Sequence, residues 1–263
     1  MEDALDRRAK AGRVGAMQLR IGSVPHLNVR PLIYGIEPEM TFCTPACLAD
    51  AMHRREFDVG LVPVAEVLLH DQYDIINNIG VVSFGAVTSV FLVHRVPPEQ
   101  IRNIAVDPSS RSSVWLLRVL LAERFGIEPK FHPCTADCEA TFVFGDDAIN
   151  RLARVPDEPR LDLGAAWTDW TGLPFVYAVW AAQRGVANTA LAAKLRQAKA
   201  DGLAHLDEII AKTTEATPEI RRDYLTRRIR YDLDDAAKRG LKKFQDCLVK
   251  LNLVEPHELR FVE

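Results

Sequence analysis

Three stretches of the sequence carry polar side chains beside apolar, strand-like runs, where a site could form. In IGSVPHLNVRPL a strand gives way abruptly to His26 and Asn28, which either belong to a plain turn or enter a site. FGAVTSV places Thr88 and Ser89 in a strand, and because strand side chains alternate, only one of them can face a site. FVFGDDAI ends a strand with Gly145 and Asp146, a pattern equally typical of a helix N-cap.

The segment DPSSRSSV predicts a binding place for an anion. It follows a strand and begins a helix, so helix N–H groups, serine hydroxyls and the positive end of the helix dipole would meet there. Ordinary capping by Asp107 or by one serine is the alternative, but a cap needs only one such residue. We expect a carboxylate to be bound by the four residues Ser110, Arg111, Ser112 and Ser113.

The cysteines and histidines do not predict a metal centre. Two cysteine pairs, 43/47 and 134/138, have a C-x3-C spacing, whereas zinc knuckles usually have C-x2-C. An odd total of five argues against a disulfide framework, so we expect free thiols, with a structural metal as the alternative. The seven histidines are scattered, and no glycine-rich phosphate loop is present. We therefore expect neither a metal nor an organic cofactor.

Composition limits the classes of partner. The chain has 263 residues, 26% of them charged, and a formal net charge of -3, which offers no electrostatic grip on nucleic acid or anionic membrane. No apolar run approaches the roughly 20 residues of a membrane-spanning helix. The start, MEDALDRRAKAGRVGA, lacks the apolar core of a secretory signal. We expect a cytoplasmic protein with a small-molecule substrate and a disordered extension over residues 1–17.

Strand and helix patterns alternate along the chain, and the alternation begins twice. The first series runs from LRIGSV to two long strands within residues 73–95, and the second runs from NIAVDP to an aromatic strand over residues 175–182. After Gly185 only amphipathic helices are predicted, over 188–212, 218–229 and 233–250.

This order predicts an α/β fold in two lobes with a cleft between them and a C-terminal helical segment. We expect residues 18–96 and 186–263 to form a discontinuous first lobe and residues 97–185 to form the second. Ligands of open α/β sheets bind beyond the carboxyl ends of the strands. The polar stretches should therefore face the cleft.

Taken together, the motifs resemble the chorismate dehydratase family of the futalosine route to menaquinone. LRIGSVPHLNVRPL, DVGLVPVAEVL, FGAVTSVFL, VDPSSRSSVWLLRVLL, FGDDAI and WTDWTGLPFVYAVWAA occur in the order typical of that family. The resemblance implies the fold of type II periplasmic binding proteins and a hydro-lyase that converts chorismate to 3-(1-carboxyvinyloxy)benzoate without a metal. By the same match, Asn28 corresponds to the family's catalytic asparagine and Ser89 to its pocket serine.

Some questions stay open. The family usually has Tyr where this chain has His26, so His26 either lines the cleft or takes part in the chemistry. An amide such as Asn28 is a poor base, which leaves a substrate carboxylate, a water or His26 as proton acceptor. The alternatives are a 1,4-dihydroxy-6-naphthoate synthase, whose opening resembles SPCPND, and a non-catalytic ligand-binding protein of the same fold.

Overall fold

Two β-sheets organise the chain, described over residues 19–107 and 112–263 in a computed structural model. Within those ranges the first sheet has seven strands and the second has five. The strands are β1 (Ile21–Ser23), β2 (Met40–Phe42), β3 (Val59–Pro63), β4 (Tyr73–Ser83), β5 (Val90–His94), β6 (Asn103–Val106), β7 (Lys130–Pro133), β8 (Ala140–Phe144), β9 (Arg160–Asp162), β10 (Phe175–Gln183), β11 (Ile229–Arg230) and β12 (Arg260–Val262).

Helices follow most of these strands. They are α1 (Arg30–Ile33), α2 (Pro45–His53), α3 (Val64–Leu69), α4 (Ser112–Glu123), α5 (Gly145–Arg154), α6 (Leu163–Thr171), α7 (Thr189–Ala204), α8 (Leu206–Lys212), α9 (Pro218–Asp223) and α10 (Asp235–Lys250). Several begin after a residue whose side-chain oxygen accepts a hydrogen bond from the N–H three residues on, as Asp162 does for α6 and Asp234 for α10. These caps satisfy backbone donors that the first helical turn cannot pair.

The strand order brings several strand ends to one edge of each sheet. The first sheet has the order β11-β4-β10-β3-β1-β2, in which β1 runs parallel to β2 and β3, while β12 also pairs with β4. The second has the order β7-β6-β8-β5-β9, in which β6 runs parallel to β7 and β8. The carboxyl ends of β1, β3, β6 and β8 are therefore the positions where this topology would place a ligand.

Two strands lie in the opposite sheet from the one that the predicted lobe boundaries imply. Residues up to 96 were expected in the first lobe, but β5 pairs with β8 and β9 in the second sheet. Residues 97–185 were expected in the second lobe, but β10 pairs with β3 and β4 in the first sheet. The chain thus passes between the sheets at 84–89 and 172–174. Apolar patterning predicts a strand but not its partners, because strand pairing is made over long sequence distances.

The C-terminal helices pack against the first sheet and its helices. Helix α7 lies against α1 and β4, and α10 lies against β10. Gly202 of α7 allows a close approach to α1, since a Cβ atom there would lie 2.1 Å from the Pro31 carbonyl oxygen. The aromatic rings of Trp167, Phe175 and Phe244 meet edge to face and join α6, β10 and α10.

The predicted helix over 218–229 is shorter in the structure. Helix α9 ends at Asp223, a π-helical turn spans Tyr224–Arg228, and β11 then pairs with the end of β4. The strand pairing competes with helix propagation, and a π turn often marks a functional site. In residues 19–107 and 112–263, no helix combines the length and the hydropathy that crossing a bilayer requires.

Candidate functional site

A pocket, called the cleft pocket below, lies between the two sheets at the carboxyl ends of β1, β3 and β8. Its empty volume, which includes solvent at the open mouth, is about 700 Å³. No Asp, Glu, Lys or Arg side chain lines the pocket in the part of the chain that the structure describes. Much of the wall is apolar, formed by Val24, Leu61, Val87, Phe144, Ala178 and Ile229.

The polar tip after β1 enters the cleft pocket. A single 3-10 turn over Leu27–Val29 leads into α1, and Leu27 and Val29 are almost completely buried in the core. Their burial fixes the turn, and His26 and Asn28 both line the pocket. Both residues therefore lie where a cleft-facing strand tip was expected to place them.

Asn28 and Ser89 meet at the hydroxyl group of Tyr224. The tyrosine hydroxyl donates to Ser89 Oγ at 2.9 Å, and the Asn28 side chain lies near it. Burial raises the pKa of Tyr224 well above that of a free tyrosine, and the neighbouring Ser89 and Asn28 only partly oppose the shift. Tyr224 is therefore a neutral donor that holds Ser89 and lies beside Asn28. Ser89 is itself 2% exposed.

Asp162 holds the loop that carries Ser89. Its carboxylate accepts from the backbone N–H groups of Val87 at 3.0 Å and Thr88 at 2.7 Å, and it also caps α6. Burial raises the pKa of Asp162, while the backbone hydrogen bonds pull it down. Thr88 has a positive φ of 62° and does not line the pocket, whereas Ser89 does. Thr88 and Ser89 were predicted within a strand, but they lie in the loop between β4 and β5, so the loop conformation decides which of them faces the pocket.

Asp146 contacts the strand tip and does not line the pocket. Its Oδ1 accepts from the Leu27 N–H at 3.2 Å, and its Oδ2 lies 3.3 Å from His26 Nδ1. Asp146 lies in the first turn of α5, which follows β8 of the second sheet. These contacts therefore join the two halves of the molecule. A carboxylate engaged in this way can orient the His26 ring, but it does not offer itself to a substrate.

Gly145 shapes the pocket through its backbone. It has a φ of +65°, a region that favours glycine, and its N–H donates to the Ser89 carbonyl at 2.7 Å. A Cβ atom at this position would lie 3.9 Å from the His26 ring. Gly145 therefore leaves space beside the His26 ring and holds the Ser89 backbone. Its N–H group already donates to the Ser89 carbonyl.

In the serine-rich helix start, the residues that the structure describes reach the pocket. Ser112 and Ser113 line the pocket, whereas Ser110 and Arg111 lie outside the described residues. Ser112 is buried, and its Oγ accepts from the Ala65 N–H of α3 at 2.9 Å. Ser112 thus ties two helix starts together, and Ser113 is the more accessible hydroxyl.

Three residues of the site were not predicted from the sequence. Tyr224 lies in the predicted helical tail, in a segment that pairs with β4 through β11 and places its hydroxyl against Ser89. Tyr177 lines the pocket from β10, its hydroxyl 3.0 Å from Ser83 Oγ. Asp162 acts from outside the pocket. Tyr177 lies within the motif WTDWTGLPFVYAVWAA, whereas Tyr224 and Asp162 belong to none, and no local pattern indicates which distant strands their segments will join.

Solved structures share this architecture. A protein from Archaeoglobus fulgidus has a TM-score of 0.73 at 17% identity, with 90% of this chain and 98% of that chain covered. The periplasmic aliphatic sulphonate binding protein SsuA from Escherichia coli has a TM-score of 0.60 at 18% identity, with 90% and 94% covered. At these identities the likeness shows the fold alone, and the predicted periplasmic-binding-protein-like fold is confirmed.

Sequence comparison gives the family. The chorismate dehydratase of Thermus thermophilus is 30% identical over 257 residues, covering 87% of this chain and 94% of that protein. The predicted resemblance to chorismate dehydratases is therefore confirmed. Residues 19–250 match a family model described as menaquinone biosynthesis, and the chain belongs to that family.

Proposed function

We propose that this chain removes water from chorismate in the cleft pocket to give 3-(1-carboxyvinyloxy)benzoate. The observation that carries the proposal is that Asn28 and Ser89, from different parts of the chain, both line the cleft pocket beside one tyrosine hydroxyl. The family resemblance matches these two residues to the catalytic asparagine and the pocket serine. The curated relative, a chorismate dehydratase, supports the choice of substrate.

The reaction suits a pocket of hydroxyl and amide groups. The C3–H bond breaks, its electron pair forms the new ring double bond, and the C4–O bond breaks with loss of hydroxide. The released proton and the hydroxide together make water, and the ring becomes aromatic. No electron acceptor or donor is needed, so the work of the protein is to position the substrate and stabilise developing charge. We propose that it does so without a metal.

Asn28 and Ser89 are proposed to form hydrogen bonds with the substrate at its ring and at its departing hydroxyl. Tyr224 donates to Ser89 Oγ, so the serine's own hydrogen remains available to the pocket. A donor aimed at a departing oxygen strengthens its hydrogen bond as negative charge grows. Because Tyr224 fixes Ser89 before the substrate arrives, little reorganisation of this hydroxyl is needed during the reaction.

His26 is the proposed proton acceptor. Its Nδ1 lies 3.3 Å from Asp146 Oδ2, which leaves Nε2 as the ring nitrogen that can take a proton. This arrangement matches the general logic of a carboxylate that orients an imidazole base. The same carboxylate also accepts from the Leu27 N–H, so the ring and its backbone are fixed together.

The first turn of α4 is proposed to anchor a substrate carboxylate. Ser113 offers an accessible hydroxyl there, and a helix of twelve residues adds the positive end of its dipole. Ser110 and Arg111 are proposed to complete this anchor. Because such contacts exist in both the ground and transition states, removing Ser113's hydroxyl should raise KM more than it lowers kcat.

Incubation of the purified chain with chorismate tests the function. We expect a product lighter by one water, with the ultraviolet absorption of a substituted benzoate, and the same rate after treatment with a chelator. Chorismate that binds but stays intact would indicate a non-catalytic ligand-binding protein. Activity lost on chelation and restored by zinc would contradict the metal-free chemistry.

A further inference from the structure

Two histidines and a buried glutamate form a cluster outside the cleft pocket. His53 ends α2, Glu66 lies in α3, and His70 follows α3 directly. Each offers one ligand atom, and these atoms all lie within 4.8 Å of one another. None of the three residues lines the pocket. They are called the His-Glu-His cluster below.

The glutamate of this cluster is deeply buried yet firmly held. Glu66 is 1% exposed, and its Oε1 accepts from the Tyr73 hydroxyl at 2.6 Å. Burial, and then the hydrogen bond to Glu66, raise the pKa of Tyr73, so the phenol remains a neutral donor. A buried carboxylate is costly without compensating charge, and His70 Nε2 lies only 3.9 Å from Glu66 Oε1.

The histidines leave a way in from solvent. Their ring centroids are 4.0 Å apart, His53 is exposed, and the His70 side chain is 30% exposed. Gln72 donates to the His53 carbonyl at 3.2 Å and to the Tyr73 hydroxyl at 2.9 Å. The buried side of the cluster is therefore held by hydrogen bonds, while the exposed His53 ring can rotate toward an ion.

We propose that His53, Glu66 and His70 bind a divalent transition metal ion such as zinc. Two imidazoles and one carboxylate are a common protein donor set for zinc, and three such ligands leave a further position open to water. Tyr73 orients the carboxylate from behind, as outer hydrogen-bond partners of metal ligands do. Rotation of the exposed His53 ring closes the set to the roughly 2.0–2.2 Å bonds that zinc requires.

The sequence pattern concealed this site because its ligands come from separate elements. Glu66 and His70 are four residues apart at the end of a short helix, and His53 belongs to the preceding helix. An ion bound there would cross-link the end of α2 to α3. The N–H of Ala65, next to Glu66, donates to Ser112 of the pocket wall. The ion would stabilise the fold without entering the proposed reaction.

Zinc binding to the chelator-stripped full chain tests the proposal. Calorimetry should show one zinc per chain, and cobalt should give the visible absorption of a low-coordinate site. His53→Gln and His70→Gln should each weaken zinc binding at least about tenfold, and Tyr73→Phe by about 10–100-fold. Zinc should raise the melting temperature of the unaltered chain but not of His53→Gln.

Two controls separate this site from other donors. His94→Gln, at the end of β5, and the double variant Cys43→Ser with Cys47→Ser should bind zinc like the unaltered chain. His53→Gln changes only an exposed side chain, so its folding should be intact. Zinc affinity unchanged in His53→Gln and His70→Gln, lost in the cysteine variant, or absent from the unaltered chain would overturn the proposal.

Discussion

A single tyrosine hydroxyl lies beside both residues proposed to do the chemistry. Tyr224 donates to Ser89 and lies near Asn28, and burial raises its pKa, so it remains a neutral donor. The relative placement of the two pocket residues therefore depends on a residue that lies outside every recognisable motif.

Removing that hydroxyl should slow turnover without unfolding the chain. Tyr224→Phe keeps the buried ring but frees Ser89, so we expect kcat to fall by about tenfold or more, with a smaller change in KM. Steady-state kinetics with chorismate measures this. Tyr231→Phe is the matched control, because its buried hydroxyl has no hydrogen-bond partner among the described residues. Equal kinetics in the two variants would show that Tyr224 only packs.

The contact between Asp146 and His26 makes a second prediction. Asp146→Asn keeps the size of the side chain but can no longer hold the His26 Nδ1 proton as a carboxylate does, so kcat should fall by about 10–100-fold. Asp147→Asn, on the neighbouring exposed position of α5, should leave kcat unchanged. If both variants keep full turnover, a substrate carboxylate or a water is the better candidate for the base.

At the scale of elements, the site depends on strand ends and helix starts that the sheets bring together. The run IGSV becomes β1, and the buried pair Leu27 and Val29 turns the following tip toward the pocket. The start of α5 supplies Gly145 and Asp146 from the second sheet. Helix α5 is in turn held to the segment before β9, because Arg151 donates two hydrogen bonds to the Glu158 carboxylate.

This ion pair should make part of the stability depend on pH. Arg151 lowers the pKa of Glu158 below 4.5, so its stabilisation is present above about pH 4.5 and is lost as the pH falls through the lower folded value. At pH 7, Glu158→Gln should reduce the free energy of unfolding by about 1 kcal/mol, a figure that allows for solvent screening. Denaturant titrations should show this difference shrinking in acid. A difference that grows on acidification would contradict the assignment, and Glu128→Gln, at an exposed position, is the control.

Local patterns predicted the elements of the site better than their partners. The strand tip with His26 and Asn28 and the serine-rich helix start follow from runs of a few residues, whereas Ser89 was identified only through the family resemblance. Sheet membership of β5 and β10 and the position of Tyr224 beside Ser89 do not follow from such runs. They depend on pairing between strands far apart in sequence, which side-chain periodicity does not encode.

In the whole molecule, the cleft pocket is built where two sheets face each other and the chain passes twice between them. Contacts across this boundary include Leu27 with Asp146, Ala65 with Ser112, and Tyr224 with Ser89. Each joins an element of the first sheet, or a segment paired with it, to one of the second. The proposed catalytic arrangement therefore exists only when the two halves are together, and opening them would separate Asn28 from Ser89.

The central claim is that the tip after β1 performs chemistry in this pocket, and Asn28→Ala tests it most directly. The measurement is kcat for chorismate dehydration together with the dissociation constant of the product, on a variant whose folding is checked by thermal unfolding. We predict a kcat lowered by ~10²–10³ with product binding nearly unchanged, because the amide acts on charge that develops only in the transition state. A folded variant with near-normal kcat would contradict the account, and the tip would then be only a turn.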